Sequence, residues 1–337
     1  MFALPSIPLR PPAFIGDNVL SPITGETGVD RLIAATFAVC VAIAGLSLRA
    51  QTPAPASAPT TAASTPTAAP DEAGVIFVGA GDIANCDLLG GARATAGLLD
   101  GIPGTIFTLG DHAYPNGSSK DLKECYDPTW GRFKDRTHPV LGNHALLTNK
   151  GQPYWEYWGE RAGPEKRGYY SYDLGAWHII AMNSTAPASE KSAQVQWLRE
   201  DLATHQTACT LAYWHTPVFS SGPHGGTMEM RDVWKLLYEA GADVVLSSHD
   251  HIYERFAPMD GKGKLDPERG IREFLVGTGG SGVYQFKRIA PNSEVHDNST
   301  YGVLKMTLKP GKYEWEFVPI GSQKFHDSGS GTCSPLR

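Results

Sequence analysis

The sequence predicts an α/β fold for one domain over residues 74–337, and three observations carry that prediction. Short apolar, β-branched runs recur at Val75–Val78, Thr105–Leu109, Pro139–Leu141, His178–Met182, Thr210–Trp214, Val244–Leu246 and Phe274–Val276, and they read as buried strands. Between them lie helical patterns. Ser192–His205 opens on a Ser cap and puts Val195, Leu198 and Leu202 on one face, and Met228–Ala240 carries Trp234 and Leu237 up to a Gly241 stop. Near the end, Leu304–Leu308 and Tyr313–Pro319 alternate like antiparallel strands. A span of roughly 260 residues is large but within reach of a single unit.

The N-terminal part is unlike the rest. Residues 1–50 hold an uncharged, mostly apolar run of 17 residues, Leu32–Leu48, flanked by Arg31 and Arg49. It is short for a membrane span and long for a signal-peptide core, so a cleaved signal and a retained anchor both remain open. The Pro-rich residues before it hold one basic side chain, Arg10, and the segment from Val29 onward reads as a compact signal sequence with Val29 as the expected true start. Residues 51–73 are expected to be a disordered linker, since nineteen of the twenty residues from Gln51 to Pro70 are Ala, Pro, Thr or Ser. Export is the expectation, to the periplasm or outside the cell, with membrane attachment only if residues 32–48 are retained.

Composition narrows the function. A formal net charge of −6 gives no bulk attraction to nucleic acid, and 37 glycines with 25 prolines argue for long loops over a helical bundle. Setting aside Cys40, four cysteines remain: Cys86, Cys125, Cys209 and Cys333. They allow three pairings; Cys86 with Cys125 and Cys209 with Cys333 is the expected one, and the absence of C-x-x-C spacing disfavours zinc.

The chemistry is concentrated where the strands stop. Gly81-Asp82, Gly110-Asp111-His112-Ala113-Tyr114, Gly142-Asn143-His144, Trp214-His215 and Ser248-His249-Asp250-His251 each set a metal-competent side chain after an apolar run. Singly, each has a plain reading: a Gly-Asp is commonly a turn, and a lone His a satisfied polar residue. Jointly they form a mixed oxygen and nitrogen donor set, in which Asp111 could bridge two cations roughly 3.5–4 Å apart.

This series resembles the calcineurin-like metallophosphoesterase superfamily, with motifs in the order GD, GD, GNH, H and GHxH. Ala84 stands where many relatives carry a histidine ligand, while Gly110–Tyr114 fits GDxxY and His249–Arg255 resembles HxHxYER, the pattern of purple acid phosphatases. The resemblance implies a four-layer α/β/β/α sandwich of two mixed β-sheets flanked by helices. It implies a first metal held by Asp82, Asp111, Tyr114 and His251, with Fe suited to the phenolate, and a second held by Asp111, Asn143, His215 and His249, taking Zn, Mn or Fe. The implied function is a secreted phosphatase that hydrolyses small phosphomonoesters by attack of a metal-bound hydroxide on phosphorus. His144 is the candidate for leaving-group protonation and His224 for substrate contact, the latter against a plain reading as a loop histidine. A phosphodiesterase or nucleotidase on the same centre is the alternative, and a non-catalytic surface binding protein the third.

Two departures and two further features bear on the expected site. Ala145 replaces the usual carboxylate after GNH, which predicts weaker leaving-group protonation and poorer alkyl than aryl ester turnover. Ser248 replaces the usual Gly, so its backbone must be one that a side chain tolerates. Trp155, Tyr157, Trp158, Tyr169, Tyr170 and Tyr172 are expected mainly to pack on the sheet. Gly277–Gly282 lacks the lysine of a P-loop and is read as a tight turn lining the site.

Overall fold

A computed structural model describes residues 73–334. The expected signal or anchor, the Val29 start and the linker up to residue 72 lie outside the described residues, among which no helix is long and apolar enough to cross a membrane.

Two sheets form the centre. In the first, six strands run in the order Ser328–Thr332, Lys312–Pro319, Gly302–Lys309, Val75–Ala80, Thr105–Thr108 and Thr137–Pro139. The last three pair in parallel, and Val75–Ala80 pairs antiparallel with Gly302–Lys309. In the second, seven strands run Ser293–Asp297, Tyr253–Phe256, Arg272–Val276, Val244–Ser247, Thr210–Tyr213, Trp177–Ala181 and Tyr170–Leu174. Its middle is parallel and both edges are antiparallel, so both sheets are mixed.

Alternation along the strands sorts the side chains into two cores. Phe77, Phe107, Tyr213, Phe274 and Trp315 belong to one cluster between the sheets, with Phe77 and Phe107 rings 4.7 Å apart. On the outer face of the second sheet, Ile180, Ala212, Trp214 and Val245 meet Val195 and Leu198 of helix Ala193–Thr204 and Val233, Trp234 and Leu237 of helix Arg231–Ala240. Helix Gly90–Gly101 covers the first sheet with Ala92, Ala96 and Leu99. The result is the four-layer sandwich. Each fully buried large side chain in these layers contributes roughly 1.5–3 kcal/mol of burial free energy.

Several boundaries move from the sequence expectation. The strand expected at Pro139–Leu141 is Thr137–Pro139, because Thr137 and Pro139 pair with Ile106 and Thr108 while buried Val140 and Leu141 already descend toward Asn143. The helix expected from Met228 starts at Arg231, since Met228–Met230 form a turn before it. Ser192 does cap its helix, accepting from the Val195 amide. Both expected disulfides are present, Cys86–Cys125 tying the loop after Val75–Ala80 to residues 122–126 and Cys209–Cys333 tying the chain end to the second sheet.

Candidate metal centre

The five motif segments follow the carboxyl ends of parallel strands, mostly in loops, with Tyr114 on the short strand Ala113–Tyr114 and Asn143 and His144 opening the helix Asn143–Leu146. The strand Val75–Ala80 delivers Asp82, Thr105–Thr108 delivers Asp111 and Tyr114, Thr137–Pro139 delivers Asn143 and His144, Thr210–Tyr213 delivers His215, and Val244–Ser247 delivers His249 and His251. The turns are sharp. Asp82, Asp111 and His249 have φ of 58°, 46° and 71°, a region that costs a residue with a side chain about 1–3 kcal/mol and recurs at functional sites. Each is locked by hydrogen bonds: the Asp82 Oδ2 accepts the His249 amide at 2.9 Å, and the Asp111 Oδ1 accepts the His144 amide at 2.9 Å. A Cβ on Gly142 would lie 2.1 Å from that Asp111 oxygen, so glycine is required there.

The seven expected ligand residues converge in two groups that share Asp111. In the first, the Tyr114 hydroxyl lies 2.7 Å from Asp82 Oδ1, 3.2 Å from Asp111 Oδ2 and 3.1 Å from His251 Nε2. In the second, His215 Nε2 lies 3.3 Å from Asp111 Oδ2, 2.9 Å from Asn143 Oδ1 and 3.2 Å from His249 Nδ1. Asp82, Asp111 and His215 are essentially inaccessible to solvent. Burying two carboxylates side by side is costly unless positive charge accompanies them, and this donor set could hold cations at both groups. Asp111, His215 and His249 alone present three ligand atoms within 4.8 Å of one another.

The electrostatics follow from that crowding. Burial opposes a charge on His215, but Asp111 and Asp82 outweigh it and raise its pKa to about 9. Burial and the neighbouring His215 push His249 down to about 4. Burial, reinforced by Asp111 and Asp82, holds the Tyr114 phenol well above its usual range, so only a bound cation would make it a phenolate near neutral pH. Burial works against ionisation of Asp82, yet His251 and His215 more than offset it and the carboxyl lies well below the usual range.

A second layer of groups, not found by reading motifs, sets ring orientation. His215 Nδ1 lies 2.7 Å from the Leu109 carbonyl and 3.0 Å from Ser248 Oγ, and Ser248 Oγ itself donates to the same carbonyl at 2.7 Å. Donation from Nδ1 leaves Nε2 facing the shared carboxylate, as the nitrogen that becomes available to a cation once its proton is lost. Ser248 is free of positive φ; the left-handed turn falls one residue later. His251 Nδ1 lies 3.2 Å from Ser281 Oγ, and Tyr284 stacks on the His251 ring at 4.0 Å, so the glycine-rich turn lines the site as expected.

His144 and His224 occupy opposite rims. His144 Nδ1 donates to the Pro115 carbonyl at 2.6 Å, and its ring lies 4.5 Å from that of Tyr114. A backbone carbonyl therefore orients the ring where a carboxylate at residue 145 would have done so. His224 packs its ring 4.4 Å from His249 and 5.5 Å from Tyr284. The aromatic cluster packs mainly inward: Tyr126, Tyr154 and Trp158 enclose His112, and Tyr170 and Tyr172 flank Tyr213.

Comparison with known proteins agrees with this geometry. The family model for calcineurin-like phosphoesterases matches residues 77–253. Purple acid phosphatase 15 of Arabidopsis thaliana is 28% identical over 221 residues, covering 55% of this chain and 41% of that protein. Probable inactive purple acid phosphatase 1 of the same plant is 22% identical over 269 residues, covering 66% of this chain and 42% of the relative. The chain thus spans about two fifths of the length of these curated relatives. The solved structure of purple acid phosphatase PPD1 from yellow lupin superposes with a TM-score of 0.64 at 19% identity, over 77% of this chain and 54% of that one. With its motifs, fold and site all pointing one way, the chain belongs to the calcineurin-like phosphoesterase family, within which it resembles the purple acid phosphatases.

Proposed function

We propose that the chain is an exported, dinuclear metal-dependent phosphatase acting on small phosphomonoesters. The observation that carries this reading is the double cluster around one shared carboxylate: Tyr114 touching Asp82, Asp111 and His251, and His215 touching Asp111, Asn143 and His249. Asp82, Asp111, Tyr114 and His251 would hold the first ion, with Fe favoured by the phenol donor, and Asp111, Asn143, His215 and His249 the second, as Zn, Mn or Fe. Two such ions supply Lewis acidity, an acidified water near neutral pH and neutralisation of phosphoryl charge.

The chain's own residues do the rest. Leu109 and Ser248 hold His215 in the tautomer that presents Nε2, and Ser281 keeps His251 Nε2 toward Asp82. With Nδ1 committed to Pro115, His144 has Nε2 to offer the leaving-group oxygen, where it delivers the proton that alkoxide departure needs. His224 presents its ring from the opposite rim toward the phosphoryl group. Export is supported by the two disulfides, which persist in oxidising compartments.

The test is turnover of p-nitrophenyl phosphate against bis-p-nitrophenyl phosphate by the metal-replete protein. Faster monoester hydrolysis supports the proposal. Faster diester hydrolysis replaces it with the phosphodiesterase reading, and loss of both with metals bound replaces it with a binding role.

A further inference from the structure

His224 sits in a loop with little regular structure, half-exposed, yet its ring is held against the second ligand group. What holds it is Asp250, the residue between the two histidines His249 and His251. Asp250 is wholly buried and faces away from the ligand cluster, into the loop Ser220–His224. Its Oδ1 accepts from the His224 amide at 3.0 Å and lies 2.8 Å from His224 Nδ1, while its Oδ2 accepts from the Ser220 hydroxyl. Ser220 Oγ in turn accepts from the Gly222 amide at 2.9 Å. The wrap is close enough that a Cβ on Gly222 would lie 2.3 Å from Asp250 Cγ.

Four residues along the same strand entry, Glu254 grips the neighbouring position. It is also fully buried, accepting the Ser221 amide at 2.8 Å and the Ser221 hydroxyl, and Ser221 Oγ accepts from the Ala290 amide at 2.8 Å. A buried carboxylate is tolerated only when its lone pairs are filled, and here the donors come largely from one short loop. Asp250 and Glu254 therefore act on the same segment, whose His224 ring lies against His249.

We propose that Asp250, backed by Glu254, is a positioning residue that clamps the Ser220–His224 loop and commits His224 Nδ1, so that Nε2 is the nitrogen offered to the substrate's phosphoryl oxygens. The inference rests on the phosphatase reading for its substrate and on geometry alone for the clamp. It differs from a ligand role, because Asp250 touches neither ligand group. Its presence also couples the last motif to the substrate rim: the residue that separates the two ligand histidines in sequence orders the residue opposite them in space.

The test is a double-mutant cycle on the metal-replete protein, combining Asp250→Ala with His224→Ala and including Asp250→Asn, with metal content measured for every variant. Charge-assisted hydrogen bonds of this kind are typically worth enough to change affinity about tenfold or more. Asp250→Ala is expected to raise KM for p-nitrophenyl phosphate and the Kd for inorganic phosphate about tenfold, with both metals retained and a smaller change in kcat. Asp250→Asn, which keeps an acceptor, should restore most of the loss. In the His224→Ala background, Asp250→Ala should do nothing further. Additive effects of the two substitutions, or loss of metal on Asp250→Asn, would overturn the proposal. A crystal structure of the Asp250→Ala protein reads the clamp independently of activity: a displaced or disordered His224 ring supports it, and a ring still seated on His249 sinks it even if the wild-type protein proves inactive.

Discussion

Metal loading should release protons from particular residues, and the number can be worked out from the site. Without cations, His215 is an imidazolium at neutral pH: its pKa of about 9 reflects Asp111 and Asp82 overcoming burial. To donate its Nε2 lone pair it must lose that proton. Displacing it at pH 7 costs about two tenfold steps against the fully deprotonated site, and since the ring is still half protonated at pH 9, affinity at the second group should be about 50-fold weaker at pH 7 than at pH 9. His249, held near 4 by burial and by His215, contributes no proton. Tyr114, held well above 10 by burial and the two carboxylates, contributes one if it binds as phenolate. The assay is calorimetric titration of the metal-stripped protein with Zn²⁺ at pH 7 in two buffers of different ionisation enthalpy, which yields protons released per chain. Tyr114→Phe should release one proton fewer than wild type, and wild-type affinity should climb steadily from pH 7 to pH 9. A proton count unchanged by Tyr114→Phe, or affinity flat across that range, would refute the reasoning.

Three further outcomes follow from the same geometry. In the metal-stripped protein, His215 has a folded pKa raised above its ordinary 6.5, so its contribution of about 3 kcal/mol is fully present below pH 6.5 and is lost as pH rises through 9; urea unfolding of stripped wild type against His215→Ala across that window should show the difference closing. Because Pro115 orients His144 with a carbonyl dipole and no full charge, Ala145→Asp should improve turnover of alkyl phosphates several-fold while leaving aryl phosphates nearly unchanged, and equal gains for both would count against the role of His144. Of the two disulfides, Cys209–Cys333 closes a span of 124 residues and Cys86–Cys125 one of 39, so the chain-entropy difference makes loss of the former more destabilising by about 1 kcal/mol, measured by thermal or denaturant unfolding of the paired Cys→Ser variants.

Much of the site was legible because its chemistry is written in short, local segments. A Gly-Asp or Gly-Asn after an apolar run marks both the strand end and the donor, and the parallel strands bring those ends to one edge without further instruction. The strands Tyr253–Phe256 and Ser293–Asp297 were illegible because each carries charged or polar residues on both faces and lacks a continuous apolar run. Ser328–Thr332 reads as a loop by composition, yet Gly329 and Gly331 leave room for the Trp315 and Tyr313 rings of the neighbouring strand. Helix Gly90–Gly101 has four interior or terminal glycines and no side-chain cap, so its small apolar face of Ala92, Ala96 and Leu99 is visible only once the sheet is present to receive it. The orienting groups were out of reach for a different reason. The Leu109 and Pro115 carbonyls are backbone atoms that no residue type announces, and Ser248, Ser281 and Asp250 acquire their roles only from partners far away in sequence.

In the proposed reading, seven side chains from five segments after the strand ends hold two metal ions around Asp111. Elemental analysis of the purified protein, paired with the Asp111→Ala variant, tests it most directly. The account predicts two metal ions per wild-type chain, one of them Fe with a visible charge-transfer band lost on Tyr114→Phe, and loss of metal at both positions together with phosphatase activity in Asp111→Ala. A wild-type chain that hydrolyses phosphomonoesters with one ion or none, or an Asp111→Ala protein that keeps both ions, would contradict it.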